Sequence, residues 1–220
     1  MNDRLIEVFD LLLPATLETI FMIFISGIFS VLLGLLLAIF LFLIKENGLK
    51  QKPKLYRFLD LIVNVFRSFP FVILMIVVLP LSKLIVGTKI GTTAAIVPLT
   101  ISAVPFVARL FEQEFNSVDS GIIDAAKSMG ASNFQIIFKV VIPESIPAMI
   151  SDITNLFINL VGYSAMSGTV GGGGLGNLAI RYGYNRREND VLFASVIVII
   201  AIVQFIQYFG FKTSFKLNKK

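Results

Sequence analysis

Apolar residues fall into five long runs separated by charged stretches. A bilayer-crossing helix needs roughly 20 apolar residues, because the hydrocarbon core is about 30 Å thick and a helix rises about 1.5 Å per residue. Residues 20–44 carry no charge and predict a first span. Residues 58–82 predict a second, interrupted by Asp60 and Arg67. Residues 90–108, holding Pro98 and Pro105, predict a third; 153–180, ending in glycines, a fourth; and the charge-free 191–211 a fifth. Asp3, Glu7, Asp10 and Glu18 precede the first run, which is also too long for the apolar region of a signal peptide. No internal repeat or linker divides the chain, so 1–220 reads as one all-α polytopic membrane domain.

Five spans put the termini on opposite sides, and the cationic residues choose the orientation. One side carries twelve: Lys45, Lys50, Lys52, Lys54, Arg57, Arg109, Lys127, Lys139, Lys212, Lys216, Lys219 and Lys220. The other carries six: Arg4, Lys83, Lys89, Arg181, Arg186 and Arg187. The richer side is expected in the cytoplasm, which puts the N-terminus outside and the C-terminus in. Residues 109–152 then form a cytoplasmic connection whose charge and amphipathicity suit surface helices. Overall, 56% of residues are hydrophobic and the mean hydropathy is +0.86, well above a soluble domain. The net charge of +5 lies beside apolar runs, so it suits orientation and anionic lipid rather than nucleic acid. Cys and His are both absent. That removes disulfides, thiol and imidazole nucleophiles, and thiolate or imidazole metal sites.

Within the connection stands Asp124-Ala125-Ala126-Lys127-Ser128-Met129-Gly130, followed after nine residues by Val140-Val141-Ile142-Pro143. Asp119, Ser120 and Gly121 supply a turn and a helix start. Ala125 and Ala126 are small helix formers that let a partner surface approach. Gly130 suits a helix end with positive φ, and Pro143 a break before the next helix. The segment resembles the EAA signature of bacterial ABC importer permeases, with Asp124 at the usual Glu. Arg67-Ser68-Phe69-Pro70-Phe71, Gly87-Thr88, Gly91, Pro98-Leu99, Pro105-Phe106, Ala108-Arg109, and Ala165 through Tyr184 are similar to the methionine-importer branch. That branch commonly has Asp where this chain has Asn177. The likeness extends over residues 14–211. It implies five-span permeases paired as a homodimer, two cytoplasmic ATPase subunits carrying ATP and Mg, and an extracytoplasmic solute-binding protein. It also implies a bacterial inner-membrane location, and that Asp124, Ala125, Ala126, Gly130 and Pro143 form the coupling helix and its surroundings.

Gly171, Gly173 and Gly176 satisfy G-x-G-x-x-G, but no β-α-β unit surrounds them. No Gly is followed by Lys, so no phosphate-binding Walker loop is present, and ATP hydrolysis is expected from a partner. The glycines serve either close helix packing or a pathway. Met166, Gly168, Gly171 and Gly172 are the candidate pathway or gate residues. Met166, a soft side chain among small ones, reads as a gap-filling core residue or as a movable plug. Arg67 is the candidate intramembrane charge, pairing with Asp60, snorkelling, or acting in gating or dimer contact. Phe21, Phe24, Phe29, Phe40 and Phe42 read as lipid-facing or packing residues. A permease for another small amino acid is the nearest alternative. A secondary transporter lacks its inverted repeats, a membrane enzyme its paired carboxylates, and a scaffold or pore would have no ATPase partner.

Overall fold

The computed structural model describes residues 2–217, and the side chains of 4–217. Lys219 and Lys220 of the charge tally, and the side chain of Asp3, lie outside the described residues. The elements are α1 (Asn2–Ile44), α2 (Pro53–Ser68), α3 (Phe71–Val86), α4 (Thr92–Ser117), α5 (Ser120–Ser128), α6 (Asn133–Ile136), α7 (Ile142–Ser167), α8 (Gly174–Leu178) and α9 (Asn189–Leu217). Wider π turns at Ile137–Val141 and Ala179–Tyr184, and a tight turn at Gly168–Val170, complete the helical elements of the described residues, which contain no strand.

Three helices, Arg4–Ile44, Thr92–Ser117 and Asn189–Leu217, are long and apolar enough to cross a membrane, and α2 with α3 makes a bent fourth candidate. The fourth predicted run differs: α7 is 26 residues long but carries Glu144, Asp152, Asn155 and Asn159, and it breaks at Gly168 rather than continuing to 180. The second predicted run is not straight. α2 and α3 meet at 109°, because Phe69 before Pro70 is held extended at ψ 129° and cannot continue the helix. Helices α4 and α7 also reach further than predicted, so the connection between them narrows from 109–152 to 118–141.

The core forms where α1 packs along α4 and α7 closes over both. Met22, Ala38, Leu99, Ala103, Val107, Phe111, Leu156 and Leu160 are its buried members. Two α1 glycines set the approach. A Cβ on Gly34 would lie 2.6 Å from Val107, and one on Gly27 the same distance from the Phe157 ring. Hydroxyls inside α1 are satisfied by their own helix: Ser26 and Ser30 each donate to the carbonyl four residues back at 2.6 Å. That bonding lets a polar residue sit in an apolar setting. Of the phenylalanines, Phe21, Phe24, Phe29 and Phe40 are exposed on the single chain, whereas Phe42 is buried and meets Phe115 edge-on at 5.9 Å.

Candidate functional site

The motif segment folds as a short surface helix with defined ends. Asp119 caps α5, its carboxylate accepting the Gly121 N–H at 2.6 Å. At the other end Gly130 has φ +80°. Its N–H donates to the Lys127 carbonyl at 2.9 Å, and the Ala131 N–H reaches back to the Ala126 carbonyl at 3.1 Å. These paired bonds make the Schellman arrangement expected of a helix-ending glycine. A Cβ on Gly130 would meet nothing within 4 Å, so its backbone conformation, not space, requires glycine. Ser132 and Gln135 then form a capping box that starts α6.

No residue of α5 is buried. Ile123 and Ala126 turn inward and pack on the core, while Asp124, Ala125 and Gly130 are exposed. Asp124 holds only a local partner, Lys127 at 2.9 Å, a pair worth about 0.3–0.5 kcal/mol. Met129 is 88% exposed, and exposed Phe134 and Phe138 lie with ring centroids 4.4 Å apart. The outward face therefore mixes small and apolar residues with the exposed Asp124–Lys127 pair, and is not covered by this chain. Pro143 sits in the first turn of α7, directly after the π turn Ile137–Val141, where the helical path changes its bonding pattern without leaving helical backbone at Val141.

The glycine segment holds two buried candidate residues. Gly168 and Gly172 are buried, Gly171 is half-buried, and Met166 is exposed on the last turn of α7. A Cβ on Gly168 would strike the backbone of Gly176 and Asn177, and one on Gly172 would lie 2.5 Å from the Ser167 hydroxyl. Both glycines serve close backbone packing; Met166 alone of the four presents a side chain at the surface. Gly171, at φ +83°, accepts the Gly91 N–H at 2.9 Å and so ties the segment to the start of α4. Glu18 accepts the Gly174 N–H at 2.7 Å, and the Thr19 hydroxyl accepts the Leu175 N–H at 2.8 Å. These α1 partners, 156 residues away, were missed in the sequence. The available signal was a carboxylate just before a charge-free run.

Arg67 is not paired with Asp60. It lies exposed in the last turn of α2, immediately before the bend. Asp60 instead pairs with Arg109 of α4, which also donates to Glu112 at 2.9 Å. Glu112, 1% exposed, accepts the Tyr56 hydroxyl at 2.9 Å as well. This network fastens α2 to α4. Nearby, Lys45 donates to Asn116 and lies 4.4 Å over the Phe42 ring; burial lowers its pKa. Among the described residues no group of three or more His, Cys, Asp or Glu is arranged to hold a metal ion.

Residues 43–209 match the family described as binding-protein-dependent transport system inner membrane component. The chain is 50% identical over 201 residues to the probable D-methionine transport system permease protein MetI of Vibrio cholerae, covering 91% of this chain and 89% of that one. It is 48% identical over 170 residues to the methionine import system permease protein MetP of Bacillus subtilis, covering 77% of each. Among solved structures, a chain of the MetNI methionine ABC transporter in inward facing conformations superimposes with a TM-score of 0.94 at 39% identity, covering 96% of this chain and 98% of that one.

Proposed function

Because this chain belongs to the binding-protein-dependent transport system inner membrane components, we propose that it is the permease subunit of an ATP-driven importer whose solute is methionine. The observation that carries the importer reading is α5, a capped surface helix with no buried residue, anchored inward only through Ile123 and Ala126. Its exposed face fits a docking partner, and its two inward residues tie any displacement of it to the core. The methionine reading rests on relatives up to 50% identical that carry methionine transport in their names.

In this reading two copies pair, and the pathway runs between them. Each α5 docks on one of two cytoplasmic ATPase subunits, which hold ATP and Mg. ATP binding brings the ATPases together, α5 is carried with them, and the spans turn from inward-facing to outward-facing. A solute-binding protein delivers methionine from outside, and hydrolysis resets the cycle. Five crossings, with the N-terminus outside and the C-terminus in the cytoplasm, suit the twelve-to-six division of cationic residues. Met166, exposed at the end of α7, is the candidate plug of the pathway, and Gly168, Gly171 and Gly172 hold it in place.

The test is uptake by vesicles containing permease, ATPase and binding protein, with labelled methionine competed by histidine, glutamine and arginine. ATP-dependent methionine uptake is expected. Transport of a polar or charged amino acid, with methionine neither carried nor competing, assigns the alternative solute. Uptake independent of ATP returns the secondary-transporter reading. A C-terminal reporter active only in the cytoplasm should be active; activity only outside reverses the orientation.

A further inference from the structure

At the α2–α3 bend lies a cavity of about 510 Å³, bounded by α2, α3, α4 and α7. Its volume is in the range of small-molecule sites. Asn64, Arg67, Phe71, Ser102, Phe106 and Tyr163 are among its lining residues. Arg67 is the one cation there, and no carboxylate lines the space. Asp60, one turn before Asn64, is committed to Arg109. Arg67 itself makes no hydrogen bond or ion pair with the described residues, unlike Arg4 and Arg109, which are each held by carboxylates. α3 begins beside it with no side-chain cap at Pro70, and a helix start adds further positive potential.

The rest of the lining is apolar or neutral. Phe71 and Tyr163 stack with centroids 4.4 Å apart and planes 8° from parallel, and Phe106 and Leu74 extend the wall. The Tyr163 hydroxyl has no hydrogen-bond partner among the described residues. Ser102 donates to the Leu99 carbonyl at 2.9 Å, leaving its lone pairs free. A guanidinium binds a carboxylate through two parallel hydrogen bonds, and a thioether packs well against aromatic rings.

Resting on the importer reading above, we propose that this cavity is a substrate subsite within the permease: Arg67 holds the carboxylate of the transported amino acid, and the Phe71–Tyr163 pair holds its side chain. Removing Arg67 breaks no hydrogen bond or ion pair among the described residues. With no acid in the lining, the subsite offers the ammonium group only neutral acceptors such as the Ser102 hydroxyl, so the carboxylate and the side chain carry recognition. Methioninamide, which lacks the carboxylate, therefore does not compete for it.

The test uses the solubilised permease–ATPase complex, with ATPase alone as the background. Labelled methionine binding is measured for wild type, Arg67→Ala, Arg67→Lys and Tyr163→Leu, beside ATP-dependent uptake by the wild-type reconstituted importer. At least a tenfold loss of affinity is expected for Arg67→Ala, partial recovery for Arg67→Lys, and a smaller loss for Tyr163→Leu. Unchanged affinity in Arg67→Ala, equal competition by methioninamide, or no binding above background overturns the subsite, while wild-type methionine uptake leaves the importer reading intact. Failure of methionine uptake overturns the solute assignment instead. Arg67-dependent binding in that case still upholds the subsite.

Discussion

Gly176 lies directly on the backbone of Ala165, so close that a Cβ on the glycine would stand 2.5 Å from the Ala165 Cα. Backbone cannot swing aside as a flexible side chain does. Gly176→Ala should therefore force α8 away from α7 and cost about 1–3 kcal/mol, the usual range for overpacking. Gly162 is the contrast: a Cβ there meets nothing within 4 Å, and helix propensity favours alanine by about 1 kcal/mol. Thermal unfolding in detergent should lower the midpoint of the first variant and not of the second. Equal midpoints for the two variants would remove the packing argument.

Glu112 is almost fully buried and is satisfied by Tyr56 and Arg109 together. Removing one member of a buried charge network leaves the others unpaired, typically at about 3–5 kcal/mol. Arg109 keeps Asp60, which holds the cost of Glu112→Ala toward the lower end. Tyr56→Phe removes one hydrogen bond and should cost about 1 kcal/mol. Glu112→Gln retains an acceptor and should fall between them. Midpoints measured on all three variants should follow that order; Tyr56→Phe as damaging as Glu112→Ala would show that the network is not centred on Glu112.

Gly130 offers a cleaner probe of partner docking than Ala126. Ala126 packs on the core, so a bulky residue there disturbs the permease before any partner is involved. Around Gly130 nothing stands within 4 Å; a substitution strains only the left-handed backbone, by about 1–2 kcal/mol. Gly130→Ala and Gly130→Asp should both yield inserted protein, and Gly130→Asp should also lose ATPase co-purification and uptake. Normal assembly and normal uptake in Gly130→Asp would contradict docking at this end of α5.

Features that depend on near neighbours were legible in the sequence. The ends of α5 follow from Asp119 and Gly130, which act within one turn of themselves. The charge-free run at 20–44 marks α1, although the helix begins eighteen residues earlier and runs on through Asp10, Pro14 and Glu18. The bend at Phe69–Pro70 had a local signal, the residue before a proline, that apolarity alone passes over. Arg109 and Asp60 are 49 positions apart, and no spacing rule connects them. The glycine segment was visible by composition, yet which glycines are packed against backbone depends on how α7 and α8 meet.

The two α1 residues that hold α8 differ in exposure, and this sets the order of their effects. Thr19 is 2% exposed and serves Leu175, which is 0% exposed. Glu18 is exposed, so water reaches the place its carboxylate leaves, although the Gly174 it serves is buried. Thr19→Ala strands a buried N–H and should cost about 1–3 kcal/mol. Glu18→Ala loses a cap that water partly replaces, at about 0.5–2 kcal/mol. Glu18→Gln keeps an acceptor and loses only the attraction between a carboxylate and a helix start, about 0.3–1 kcal/mol. Hydrogen exchange resolves the sites separately: the Leu175 amide should exchange faster in Thr19→Ala, and the Gly174 amide in Glu18→Ala. Thr19→Ser, which keeps the hydroxyl, should restore protection at Leu175. If Thr19→Ala leaves that protection unchanged, the bond from α1 does not hold α8, and the anchoring of the glycine segment must be sought in the Gly91–Gly171 bond instead.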